Sequence, residues 1–448
     1  MSAAARRWLG EQVATSGTLT DLVCAPLDRG WSKRWLMALL GSLALAFLGA
    51  LAVGYSLLEG PGVWGNNTAV VWGFPIANYV WWIGIGNAGT LISSLLLLTR
   101  QNWRASINRF AEAMTLFAVA IAGIFPILHL GRPMYFYWLA PYPNTMDLWP
   151  QWRSALVWDF WAILCYLLFS VVFFYVGLLP DLATLRDRET LGRGWRKIYG
   201  VAALGWQGSA AQWQAHERLH RALAVIATPL VCSVHSIVGL DFAASLMPGW
   251  TEGIFPPFFV VGALFSGFAM VTLIALVIRH ALGLEAIVTP AHFDAMAKIM
   301  LAASVAMGLS YGTEWFTSWW TGEASDARFL RFAFTGPYWP FTVGMILANV
   351  VAPQAFWFPA ARRSPVALVS VSLAILVGMY LERINIIIDT LSIGYVPSFW
   401  KLYAPTLVDG AILAGTAGLF VALMLIASRY LPMVSIHESR RLVAEASR

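Results

Sequence analysis

Runs of about twenty apolar residues recur ten times along the chain, near positions 35–57, 76–98, 109–131, 155–178, 221–246, 254–279, 294–316, 337–358, 365–385 and 407–428. At about 1.5 Å per helical residue, each is long enough to cross a hydrocarbon core of roughly 30 Å. The pattern predicts an all-α membrane protein of ten transmembrane helices. An even count puts both termini on one side. The connections alternate in character. One set is rich in Trp, Tyr and Pro, as in GPGVWGNNTAVVWGFP (60–75) and PGWTEGIFPPFF (248–259), the composition of an interfacial aromatic belt. The other set carries the cations.

Of the 29 lysines and arginines, only Arg132, Arg153, Arg328, Arg331, Arg383 and Lys401 fall on the aromatic side. Arg6, Arg7, Lys33 and Arg34, the charged 179–220 loop and the C-terminal Arg440 and Arg441 fall on the other. Positive loops stay inside, so both termini are expected to be cytoplasmic, with short interfacial helices in 179–220. Residues 1–34 contain no apolar core of a signal peptide, and none is expected.

Composition narrows the class further. The chain is 59% hydrophobic and 12% charged, half the charge of a soluble domain at roughly 25%, which excludes an ordinary soluble fold. The net charge of +6 reports loop cations rather than nucleic-acid binding. Cys24, Cys165 and Cys232 have no CxxC spacing, so no iron–sulfur cluster or attached haem is expected in this chain. Only His129 and His235 of the seven histidines lie within the runs, which argues against paired haem ligation. No metal-site or nucleotide-loop motif stands in a suitable context.

The densest chemistry lies between runs three and four, HLGRPMYFYWLAPYPNTMDLWPQWRSALVWDF (129–160). His129 opens this segment and Asp159 nearly closes it, with nine aromatics, two arginines and five prolines or glycines within it. Ionisable groups at membrane depth mark sites by default. Asp241, His235 six residues deeper, Glu314, Glu382 and Arg383 share the outer half with His129 and Asp159. The inner half offers only Glu112, Asp294 and Lys298. Glu382 beside Arg383 reads equally as a structural ion pair. A histidine and a carboxylate at one membrane face suit a lipophilic donor of two electrons and two protons: they accept its hydrogen bonds and then its protons, while aromatics clasp its ring.

The same segment, with YVGLLPDLATLRDR (175–188), NYVWWIGIGNAGTLIS (78–93), VHSIVGLDFAASLMPGWTEGIFPPFFVVGALFSGFAMV (234–271), VTPAHFDAM (288–296) and RYLPMVSIHE (429–438), resembles the polysulfide-reductase-type NrfD integral membrane family. Within it the chain is most similar to the ActC type, the quinol-oxidising membrane subunits of bacterial alternative complex III. The resemblance implies two related four-helix bundles, over 76–246 and 254–385, flanked by peripheral helices at 35–57 and 407–428, with cytoplasmic tails at 1–34 and 429–448. It implies menaquinol or ubiquinol as substrate near the periplasmic face of a bacterial cytoplasmic membrane. The implied partners are a periplasmic iron–sulfur subunit, multihaem and monohaem c-type cytochromes, a second NrfD-like subunit and membrane lipids.

His129 and Asp159 match the family's quinol-site positions. Asn87, Arg132, Tyr135, Trp158, Asp241 and Arg383 are expected around the pocket, and His235, Glu314, Glu382, Glu112 and Lys298 along a proton route. Some relatives have histidine at the position of Asn87, which cannot titrate near neutral pH. The alternative is a quinone-interacting or proton-translocating membrane anchor of a molybdopterin oxidoreductase of the polysulfide reductase type.

Overall fold

The computed structural model describes residues 8–10, 13 and 15–447, so Arg6 and Arg7 lie outside the described residues. Among the described residues there are ten helices long and apolar enough to cross a membrane: α1 (Lys33–Glu59), α2 (Phe74–Leu98), α3 (Arg104–His129), α4 (Ala155–Arg186), α5 (Ala210–Ala243), α6 (Phe255–Ala281), α7 (Pro290–Trp320), α8 (Trp339–Trp357), α9 (Pro365–Ser392) and α10 (Leu407–Tyr430). Among the described residues there is no strand.

Local chemistry sets the starts. Ser32 and Ser364 accept from the backbone N–H three residues on, capping α1 and α9, and Thr406 forms a capping box with Asp409 at the start of α10, satisfying N–H groups that have no intrahelical partner. Prolines stand in the first turns of α2, α6, α7 and α9, where the missing N–H costs nothing. The α3 helix breaks after Ala122 and resumes as Phe125–His129. Pro126 accounts for the break, since it cannot donate to the turn before it.

The apolar pattern located the membrane but not every helix end. α4 runs on to Arg186 and α5 begins at Ala210, so nearly half of the expected 179–220 loop extends these two helices, and between them lies one short helix, Arg193–Ala202. Helical periodicity continues into polar sequence at the membrane surface, where hydropathy has already fallen.

Neighbour relations follow two cycles. α2 packs on α3 and α5, and α4 closes on α3 and α5; α6 packs on α7 and α9, and α8 closes on α7 and α9. The two groups meet where α6 lies against α2 and α5, while α1 and α10 pair with each other. Small residues permit the closest approaches. A Cβ on Gly89 would overlap the Ala111 carbonyl and the Thr115 hydroxyl on α3, and Gly49 of α1 meets Gly415 of α10 backbone to backbone.

The terminal segments share one end of the bundle. Arg440 on the C-terminal helix Ile436–Ser447 donates to Thr20 on the N-terminal helix Ser16–Asp28 at 2.8 Å. At this end Arg109, buried on α3, donates to Asp181 and to the Gly177 carbonyl on α4, each at 2.8 Å, and faces Glu112 at 3.7 Å. Asp181 in turn accepts from the backbone N–H groups of Ile436 and His437. Two of the sequence segments singled out above, around 181 and 437, thus dock on each other. Arg104 completes the network with Glu438 at 2.5 Å. Burial alone would raise the Glu438 carboxyl, but the Arg104 guanidinium outweighs it and holds it at about 2.

Candidate functional site

The opposite end gathers one polar side chain from each helix of the first cycle. Tyr79 stands in the second turn of α2, His129 ends α3, Asp159 lies in the second turn of α4, and Asp241 is near the end of α5. Asp159 and Asp241 are buried and lie within electrostatic reach of each other and of the Tyr79 hydroxyl. Even so, Tyr79 Oη and the Oδ1 atoms of both acids lack a well-formed hydrogen bond, and no ion pair reaches either acid among the described residues. Leaving a buried polar atom unpaired costs roughly 1–3 kcal/mol. Three unpartnered atoms on three helices meet at this point, and each calls for a partner outside the described side chains.

His129 joins from the side. Its imidazole meets the edge of Trp72 at a 5.8 Å centroid separation, and its Nδ1 is buried without a partner. No hydrogen bond links His129 to Asp159 directly; the groups that act on Asp159 are Asp241 and Tyr79. The connection runs through aromatics. Trp72 stacks on Trp250 at 5.6 Å and meets Phe242, the residue after Asp241, edge-on at 6.2 Å. Tyr79 also touches Phe125, one turn before His129, at 6.5 Å. Trp250 is fixed by donating to the Ile386 carbonyl and the Thr390 hydroxyl on α9.

Deeper in the bundle, a polar chain crosses from the first cycle to the second. Asn87 on α2 bonds His235 on α5, both fully buried. Arg383 on α9 lies close enough to act on His235, sits over the face of Phe259 at 4.3 Å and pairs with Glu382 at 2.5 Å. Tyr311 donates to Glu382 and accepts from Asn349 at 2.9 Å. Glu314 and Glu382 share a small cavity with Tyr311, Trp315, Asn385 and Thr390. The chain and this cavity are flanked by two π-helical turns, Leu347–Val351 and Asn385–Asp389, a distortion that recurs at functional positions.

The remaining expected residues are held elsewhere. Arg132 is exposed, and Tyr135 stacks on Trp138 at 4.8 Å in the connecting loop. Trp158 donates to the Trp152 carbonyl at 2.6 Å, pinning that loop to α4. Glu112 belongs to the Arg109 network and accepts from Ser93, and Lys298 pairs with Asp294 at 2.6 Å near Arg362 at the terminus-bearing end. Sequence reasoning passed over Tyr79, Trp72 and Trp250. Tyr79 lay inside a segment already singled out, NYVWWIGIGNAGTLIS. By sequence the two tryptophans are indistinguishable from belt residues. Among the described residues, no group of three or more His, Cys, Asp or Glu side chains is arranged to hold a metal ion.

Comparison with known proteins covers the same region. The family model described as polysulphide reductase, NrfD matches residues 62–394, beginning after α1 and ending before α10. A putative dimethyl sulfoxide reductase membrane subunit from Halobacterium salinarum is 24% identical over 262 residues, 56% of this chain and 55% of that protein. A selenate reductase subunit from Mesobacillus selenatarsenatis is 24% identical over 234 residues, 50% of this chain and 53% of that protein. The chain thus spans about half the length of the curated relatives it matches.

Proposed function

Because the chain belongs to the polysulphide reductase NrfD family, we propose that it is the quinol-oxidising membrane subunit of an electron-transfer complex, with its quinol site at Tyr79, His129, Asp159 and Asp241. The observation that carries this reading is the group of buried, unpartnered polar atoms on four different helices beside an aromatic wall. The fit is chemical. A quinol offers two hydroxyl donors on a flat aromatic ring, and the site offers carboxylate and imidazole acceptors beside the Trp72, Phe242 and Trp250 rings.

Bound there, a quinol supplies two protons and two electrons. Asp159 and Asp241 accept the hydrogen bond of one hydroxyl and take up its proton. Tyr79 orients that pair, and His129 Nδ1 accepts from the second hydroxyl. The electrons leave to a redox centre on a partner. Oriented by the cation distribution of the loops, the site faces the periplasm and the termini the cytoplasm, and the two helix cycles are the family's paired bundles.

For the assembly we favour alternative complex III of the ActC type, with c-type cytochromes, a periplasmic iron–sulfur subunit and a second NrfD-like subunit as partners. The specific observation favouring a second reading, the membrane anchor of a molybdopterin reductase, is that both relatives above are named as reductase subunits. The second reading makes the chain a quinone-interacting or proton-translocating anchor, and its partner differs. Purification of the tagged protein in mild detergent, with a haem stain and peptide identification, decides between them: c-type cytochromes support the first and a molybdopterin protein the second. Quinol oxidation itself is tested by Asp159→Asn. Removing a positioned proton acceptor lowers the rate by about 100- to 10,000-fold, with assembly intact; full activity in the assembled variant defeats the proposal.

A further inference from the structure

A cleft of about 1160 Å³ opens at the terminus-bearing end, between the ends of α2 and α4, the starts of α3 and α5, and the C-terminal helix. It is far from the site described above and shares no residue with it. Six arginines and three acids line it. Three of the arginines have an acid in reach: Arg104 with Glu438, Arg186 with Asp187 and Arg441 with Glu217. Arg440 spends its Nε on the neutral Thr20 hydroxyl. Arg100 and Arg221 are exposed, and among the described residues their side chains have neither a hydrogen-bond partner nor an acid. The cleft therefore holds cationic charge that the described chain does not balance. In its wall, His220 is buried with Nε2 lacking a partner.

One side of the cleft is apolar. Leu96, Leu97 and Leu98, the last turn of α2, form part of it, and Leu98 is 37% exposed. Trp206 and Trp213 meet edge-on at 5.0 Å on another side. A free inorganic anion has no use for such a wall, whereas an acyl chain does. Basic pockets between transmembrane helices at the membrane surface take anionic headgroups.

We infer that this cleft binds an anionic phospholipid, its headgroup phosphate held by Arg100 and Arg221 and the first segment of its chain lying along Leu96–Leu98. Phosphate oxygens accept from guanidinium donors at both positions, and tryptophan is a residue enriched where headgroups end. The lipid fills a gap between the helix ends and the docked C-terminal segment.

The test uses the full-length protein in mild detergent, stripped of lipid and titrated with phosphatidylglycerol, phosphatidylcholine or inorganic phosphate, with bound species counted by native mass spectrometry. Phosphatidylglycerol is expected to bind in preference to phosphatidylcholine. The double variant R100Q/R221Q is expected to weaken it about 30-fold, from roughly one charge–headgroup interaction per arginine. R221K is expected to retain most of the binding. R363Q, an exposed arginine outside the cleft at the same end, is expected to change nothing. Equal binding of both lipids, or an unchanged R100Q/R221Q variant, overturns the inference. Inorganic phosphate binding as tightly as the lipid and displacing it overturns the lipid as occupant and assigns the arginines to a soluble phosphate.

Discussion

The two ends of this bundle treat buried acids in opposite ways. At the terminus-bearing end Asp181, Glu112 and Glu438 each face a guanidinium, and Asp181 also takes two backbone N–H groups. At the other end Asp159 and Asp241 face each other and a tyrosine, with no cation among the described residues. Burial and residue type are alike; pairing is what differs. Charge-paired acids fix architecture, here the docking of the C-terminal segment on α3 and α4, although Arg109 Nε and Glu112 Oε2 there also lack a hydrogen bond. Acids with no cation beside them retain a cost that a proton, a ligand or a bound water relieves. This contrast separates site from scaffold more sharply than the presence of ionisable residues at membrane depth.

The contrast can be broken by substitution. Arg109→Ala leaves Asp181 and Glu112 buried without their cation. Loss of one partner of a buried pair costs about 3–5 kcal/mol, which is expected as a large fall in the thermal unfolding temperature in detergent and as loosening of the C-terminal helix. Tyr79→Phe, at the other end, removes a hydroxyl that has no well-formed bond to lose. It is expected to leave the unfolding temperature nearly unchanged while slowing quinol oxidation about tenfold, the equivalent of about 1.4 kcal/mol. A variant whose stability falls as far as that of Arg109→Ala would place Tyr79 in the scaffold.

A smaller effect sharpens the comparison through pH. Because Arg104 holds Glu438 near 2 rather than its ordinary 4.5, the stabilisation it brings is fully present above about pH 4.5 and is lost as pH falls toward 2. Hydrogen exchange of Ile436–Ser447, corrected for the intrinsic rate, is expected to accelerate over that window in the native chain. Glu438→Gln, which has no proton to take up, is expected to show a shallower profile.

Much of the fold was legible because hydropathy reports burial in lipid directly: all ten helices lie where the apolar runs put them, within a few residues except where α4, α5 and α9 run on. The polar residues were legible as a set but not as partners. His129, Asp159 and Asp241 stood out because charge at membrane depth is rare, yet their relation depends on helix rotation, which the sequence of one chain does not specify. Tyr79 and Trp72 were hidden among many aromatics that only line the membrane. Glu112 and Lys298 looked like stepping stones because their counter-ions, Arg109 and Asp294, could not be assigned to them from spacing alone, even though each lies only one helical turn away. Asn87 found a titratable neighbour in His235 across the helix interface, a pairing no spacing within one span can reveal.

The most direct test of the central claim is photoaffinity labelling of the intact complex with an azidoquinone, mapped by peptide mass spectrometry. The account predicts adducts on the four helix ends that carry Tyr79, His129, Asp159 and Asp241 and on the Trp72 and Trp250 connections, suppressed by excess unlabelled quinone. Adducts that survive excess quinone, or that cluster at the terminus-bearing end around Arg109 and Glu438, would contradict it.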